Sequence, residues 1–135
     1  MKKYLLDTNI CIFYLKGRFD LNKQIGEIGA QNCFISEITV AELKYGIENS
    51  ATPDSLREII NAFIPKFLVV PIYDALDIYA KEKVRLRKNG MLIDDFDILI
   101  GATAIAHDMI MVTNNTAHFN RLEGLIIEDW TLATR

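Results

Sequence analysis

Five short apolar runs, Tyr4–Leu6, Cys33–Ile35, Phe67–Val70, Ile110–Val112 and Leu125–Ile127, punctuate the sequence, and segments of helical length and periodicity fill the intervals. A chain that alternates strand and helix in this way joins its strands by crossovers, because each helix returns the chain to the same end of the sheet before the next strand begins. The pattern predicts an α/β fold in which a central five-stranded parallel sheet lies between two layers of helices. Several helices carry start and stop signals. LNKQIGEIGA sets Leu21, Ile25 and Ile28 on one stripe. TPDSLREIINAFIP offers Thr52 as a cap, Pro53 as the first helical residue, Leu56, Ile59, Ile60 and Phe63 as a buried face, and Pro65 as a stop. Further helices are predicted from about Asp74 to Lys88, closed by Gly90, and from about Asp95 to His107.

At 135 residues the chain has the length of one domain, expected to span 1–135, and needs no disulfide or structural metal to be stable. Half of it is hydrophobic and 24% is charged, which excludes a disordered class. MKK is followed by too few apolar residues for a signal peptide, and the apolar-rich run at 98–106 is too short to span a bilayer, so a soluble, cytoplasmic protein with no membrane role is expected. Cys11 and Cys33 lack C-x-x-C spacing and read as reduced core thiols. A net charge of −3 is unlike most phosphate binders. Its distribution is uneven, however: KEKVRLRK at 81–88 sets five basic residues against one acid. That run is either a solvated helix face or a phosphate-tracking strip beside an acidic pocket, with Lys83, Arg85, Arg87 and Lys88 as its cations.

The acids are the informative charges. Asp7 follows the first strand, Glu42 lies in SEITVAELKYG after the second, and Asp97 opens the helix that leads into the fourth. In an open parallel sheet the strand C-termini and the helix starts share one rim, where ligands bind at the point at which strand order reverses. Each acid also has a purely structural reading: Asp7 as a cap, Thr39 with Glu42 as a capping box, Asp94 with Asp97 as a helix start. Their convergence argues against caps alone. Carboxylates roughly 5 Å apart repel by about 3 kcal/mol per pair at an effective dielectric of 20. Helix dipoles offset about 0.3–1 kcal/mol each. A cation or protons must therefore compensate, and an all-oxygen donor set suits a hard ion, Mg²⁺ or Mn²⁺.

The runs LLDTNICIFYL, ISEITVAELKYG, DFDILIGATAIA, MVTNNTAHF and GLIIEDW together resemble the PIN-domain nucleases, in particular the VapC-type toxins of bacterial toxin–antitoxin pairs. The resemblance implies a three-layer α/β/α PIN-like domain with a central five-stranded parallel sheet, and Mg²⁺-dependent endoribonuclease activity in which Mn²⁺ can substitute. It also implies inhibition by a cognate VapB-type antitoxin, in a homodimer or a toxin–antitoxin hetero-oligomer. Residue by residue, it assigns metal binding and catalysis to Asp7, Glu42 and Asp97. Where many relatives place a fourth acid this chain has Asn115, followed by His118. Asp95 is an auxiliary ligand only if it precedes the first helical turn, since positions two apart on a helix diverge by about 200°; Asp94 is then the cap. Thr8, Asn9, Thr113 and Asn115 read as substrate-holding groups on the rim or as local turn and cap partners. Phe13, Tyr14, Ile25 and Ile28 read as a docking surface or as core.

Other functions leave different marks. A metal-free mechanism would pair His107 with His118. A phosphoryl receiver needs an acid pair after the first strand and a late Lys, and a D-x-D phosphatase needs a second acid where Asn9 stands. A catalytically silent RNA- or protein-binding module of the same fold, or a PIN nuclease of RNA processing, would share most of the residues above.

Overall fold

The structure, a computed structural model, describes residues 1–132, so the last three positions of the expected domain lie outside it. Five strands, β1 (Tyr4–Leu6), β2 (Cys33–Ser36), β3 (Leu68–Val70), β4 (Ile110–Val112) and β5 (Ile127–Glu128), form one sheet in the order β3-β2-β1-β4-β5, with every pairing parallel. Strand order reverses at β1. The chain builds outward through β2 and β3, then crosses back to lay β4 on the free side of β1. The crevice between the C-terminal ends of β1 and β4 is thus the switch point at which α/β sheets bind ligands.

Side-chain alternation along the strands divides the core in two. Tyr4, Leu6, Cys33, Ile35 and Val112 point to one face, where α1 (Thr8–Leu15), α2 (Leu21–Ile28), α3 (Glu37–Glu48) and α4 (Pro53–Phe63) cover them. Leu5 and Met111 point to the other, beneath α5 (Leu76–Lys88), α6 (Asp95–Ala106) and the short α7 (Thr116–Phe119). Helix α3 serves both faces, since Ile38 packs on the second side and Leu43 and Ile47 on the first. Helix α6 is buried on most of its circumference, with Ile98, Ile100, Gly101, Ala102, Thr103 and Ala104 enclosed. Gly101 permits this: a Cβ there would stand 2.2 Å from Leu122 Cδ1. Both cysteines are buried free thiols.

Several boundaries differ from expectation. The helix after β2 begins at Glu37, capped by Ser36, whose hydroxyl accepts the Ile38 N–H at 3.0 Å. Thr39 is therefore inside the helix, and the capping box expected from Thr39 and Glu42 does not form. Thr52 precedes α4 without a side-chain cap bond. Ile59 is 48% exposed, so the buried face of α4 is narrower than its apolar pattern. Leu125 packs into the second core cluster, which moves the last strand to Ile127–Glu128. Of the four residues weighed as docking surface, Ile25 is core and Phe13, Tyr14 and Ile28 pack against it. Among the described residues, no helix is long and apolar enough to cross a membrane.

Candidate active site

Asp7 is the pivot of the switch point. Its backbone, still extended at φ −66° and ψ 157°, ends β1 and caps α1. Oδ1 accepts the Thr8 N–H at 2.8 Å and Oδ2 accepts the Thr113 hydroxyl at 2.8 Å. Thr113 follows β4, so one carboxylate ties together the two strands on either side of the crevice. The side chain is 5% exposed. Burial, the largest cause, pushes its carboxyl up from 3.8 to about 6; the two hydrogen bonds oppose this, and the charges of Asp97 and Glu42 add to it.

Glu42 arrives from α3. It is the sixth residue of that helix, a turn beyond the helix start where the capping reading placed it. Its Oε1 is bonded by the Thr8 hydroxyl, and Thr39 Oγ1 lies 3.1 Å from the same hydroxyl. Thr8, with one proton to give, donates it to the carboxylate and takes one from Thr39. Glu42 is raised above the usual carboxylate range by burial, against the Thr8 bond, with the charges of Asp97 and Asp94 contributing. Asp97, in the first turn of α6, is raised by burial and by Asp94; the nearby His118, whose Nδ1 is 3.7 Å from Oδ2, lowers it. Asn115 completes the ring. Its backbone N–H donates to Thr113 Oγ1 at 2.9 Å, and its amide nitrogen lies 3.0 Å from His118 Nδ1.

The structure thus brings Asp7, Glu42, Asp97, Thr8, Thr113 and Asn115 to one place, and adds Asp94, which sequence reasoning treated as a cap. Asp94 holds the N-cap position without a side-chain cap bond, and its charge reaches both Glu42 and Asp97. Asp95 is a correction. Its Oδ1 is 2.8 Å from Lys83 Nζ and 2.9 Å from the Tyr79 hydroxyl, so it serves the α5–α6 contact instead of joining the acids. Lys83 is occupied by the same pairing. Arg85 is held by Glu82 at 2.8 Å and donates to the Arg121 carbonyl at 2.6 Å, which leaves Arg87 and Lys88 as the exposed cations of the strip without a carboxylate partner among the described residues. The two-histidine mechanism fails on geometry. His118 stands beside Asp97 at the start of α6, whereas His107 caps its far end, about 15 Å of helical rise away.

Among the described residues, no group of three or more His, Cys, Asp or Glu side chains is close enough together to hold a metal ion as the chain stands, so Asp7, Glu42 and Asp97 do not by themselves form a three-ligand site. Mg²⁺ does not require one, since it keeps several waters and usually takes one or two carboxylates. Buried Asp7 and half-buried Glu42, bonded among the described residues only by hydroxyl and amide groups, with half-buried Asp97 beside them, fit such a hydrated hard ion.

The PIN domain family model matches residues 4–125. The chain belongs to the PIN-domain family, among its VapC-type members. A tRNA(fMet)-specific endonuclease VapC from Shigella flexneri is 35% identical over 133 residues, covering 97% of this chain and 100% of that protein. A Ribonuclease VapC2 from Haemophilus influenzae is 36% identical over 134 residues, covering 96% and 99%. Among solved structures, a chain of the DNA-bound VapBC from Salmonella typhimurium aligns with a TM-score of 0.89 at 31% identity, covering 96% of this chain and 99% of that one. In this PIN domain the acids of the motifs, Asp7, Glu42 and Asp97, lie near enough at the switch point to act on one another's charge.

Proposed function

We propose that this chain is the ribonuclease toxin of a VapBC-type pair, a Mg²⁺-dependent endoribonuclease that hydrolyses a phosphodiester in a structured cellular RNA. The observation that supports this reading most is the buried Asp7 carboxylate, held open between Thr8 and Thr113 and facing two further acids, with no cationic side chain bonded to it among the described residues. A divalent ion held by Asp7 and Asp97, with Glu42 direct or through water, would polarise the scissile phosphate and acidify an attacking water. Thr113 and the Thr8 N–H fix both Asp7 oxygens, so the carboxylate needs little reorganisation when it binds. Glu42, steadied by the Thr8 hydroxyl and held above its ordinary range, is placed to orient that water or take its proton. Asn115 adds a neutral amide where many relatives carry charge, suited to a phosphate oxygen. Transfer RNA is the first substrate to try, because the Shigella flexneri relative is named for one.

The partner in this reading is an antitoxin, as in the VapBC complexes whose toxin chains align with this one. A groove of about 340 Å³ runs beside the site, lined by Ile12, Leu15, Leu43, Leu56 and Ile59 and sharing Glu42 with it. An apolar antitoxin segment lying there would bring a basic side chain within reach of the uncompensated acids. The test is incubation of purified protein with total RNA in Mg²⁺ or in EDTA, beside the Asp97→Asn form. Cleavage only by the unaltered protein with metal is expected. Fragments that persist in EDTA and end in a cyclic phosphate would sink the metal mechanism, and equal RNA binding with no cleavage by either form would indicate a silent module.

A further inference from the structure

A second groove of about 670 Å³ opens from the acid centre and shares Thr8 and Glu42 with it. Its outer walls are aromatic. Tyr45 lies one turn after Glu42 on the same face of α3 and is 70% exposed; Phe96 immediately precedes Asp97 at the start of α6 and is 47% exposed. Neither ring stacks on another aromatic among the described residues, although this chain pairs Phe13 with Phe19, Phe63 with Phe67 and Tyr4 with Trp130. Two large rings left in water on either side of a catalytic carboxylate lower no energy of the free chain. They become favourable only when something flat covers them. At the rim, Asn9 is exposed and its amide has no hydrogen-bond partner among the described residues.

We infer that this groove is a nucleobase pocket, in which Tyr45 and Phe96 stack an unpaired base of the RNA next to the scissile phosphate and Asn9 bonds the edge of that base. The inference rests on the nuclease reading and narrows it to substrates whose cleaved strand is unstacked at that nucleotide. The occupant follows from continuity: whatever phosphate meets Asp7, Glu42 and Asp97 carries a base on the adjoining sugar, and the groove that shares both Thr8 and Glu42 with the acid centre is aromatic-walled and uncharged apart from the shared carboxylate. Every base has a π-face, so the rings accept any base, while an amide can discriminate among base edges by its paired donor and acceptor.

The test measures binding of an unstructured RNA oligonucleotide, and of the same sequence in duplex, to the full chain carrying Asp97→Asn in Mg²⁺, so that binding is read without cleavage. Adding Tyr45→Ala or Phe96→Ala should weaken single-strand binding roughly 5- to 150-fold, equivalent to ~1–3 kcal/mol of stacking, and leave duplex binding unchanged. Tyr45→Phe should bind as its parent does. Tyr45→Trp should bind as well and lose indole emission when RNA is added, a signal that survives even if an alanine form folds poorly. Unchanged single-strand affinity in both alanine forms, equal loss for duplex, or failure of Tyr45→Phe would each overturn the proposal. So would a loss confined to the affinity for an antitoxin peptide, which would make the groove a protein dock. Failure of the nuclease reading is separate, because it appears as absent cleavage by the unaltered chain whatever these binding data show.

Discussion

At the rim of the sheet Asp7 and Glu42 have, among the described residues, only hydroxyl and backbone amide partners, and Asp97 has an imidazole at 3.7 Å; on α5, Lys83 sits 2.8 Å from Asp95 and Arg85 2.8 Å from Glu82. Both regions are dense in charge. They differ in what neutralises it. On α5 each of these charges meets its opposite within the chain, so those groups contribute to folding and are not free for a ligand. At the crevice like charges face one another inside low-dielectric surroundings, an arrangement that folding disfavours and ligand binding can relieve. Charge without an internal partner is therefore the better guide to function here, and it separates Asp7 from Asp95 although both stand at the start of a helix.

The sharpest way to break this contrast is Asp7→Asn in metal-free protein. Asp7 holds its proton up to about pH 6 in the folded chain but releases it near 3.8 when unfolded. Between those values folding takes up a proton, so stability falls as pH rises through the window, by about 3 kcal/mol in all, and the loss persists above it. Asn carries no such charge. In EDTA at pH 8, Asp7→Asn should be more stable than the unaltered chain by about 2–3 kcal/mol in denaturant titration, with little difference near pH 4. Millimolar Mg²⁺ should raise the stability of the unaltered chain and leave the variant unmoved. An Asp7→Asn form destabilised at pH 8 without metal would show that the carboxylate is structural.

The paired region should respond with the opposite sign. Glu82 is held below the usual carboxylate range by its bond to Arg85, and its Oε1 also accepts the Glu123 N–H at 2.9 Å. A lowered carboxyl stabilises the fold above its ordinary value of 4.5 and gives up that contribution as pH falls through the folded value. The pair is partly solvated, so Glu82→Gln should cost no more than about 1 kcal/mol at pH 7 and less in acid. RNA cleavage should be unchanged. Comparing the pH dependence of the two variants by thermal melting tests directly whether the two regions store charge in opposite senses.

The sequence shows the frame of this molecule because the deciding patterns are local. Strand-to-helix handovers place Asp7 and Asp97 within a few residues of a boundary, and alternation alone gives a parallel sheet. What it conceals depends on packing between elements. Asp95 looks equivalent to Asp97 in the linear sequence, and only the approach of α5 to α6 assigns it to Lys83 and Tyr79. Ser36 and Thr39 both suit a cap, and the length of β2 decides for Ser36, which turns Thr39 inward toward Thr8 and sets Glu42 a full turn into α3. Tyr45 and Phe96 are legible in the sequence: each is a large aromatic within three residues of an expected ligand, at a position that helical geometry aims at the rim.

The smallest expected effect concerns the remainder of the basic strip. Lys83 and Arg85 are engaged within the chain, while Arg87 and Lys88 are exposed in the last turn of α5, where they also complement the helix dipole. If free charge marks function, only the latter two meet RNA. Each phosphate contact on a single strand contributes about 0.7 to the slope of log affinity against log salt. Arg87→Gln and Lys88→Gln, in the Asp97→Asn background, should each flatten that slope by about this amount and weaken binding most at low salt. Lys83→Gln should leave the slope where it is and instead release Asp95. A slope that falls equally for all three would mean that the ion pair to Asp95 opens when RNA arrives, and that internal pairing does not remove a cation from the binding face.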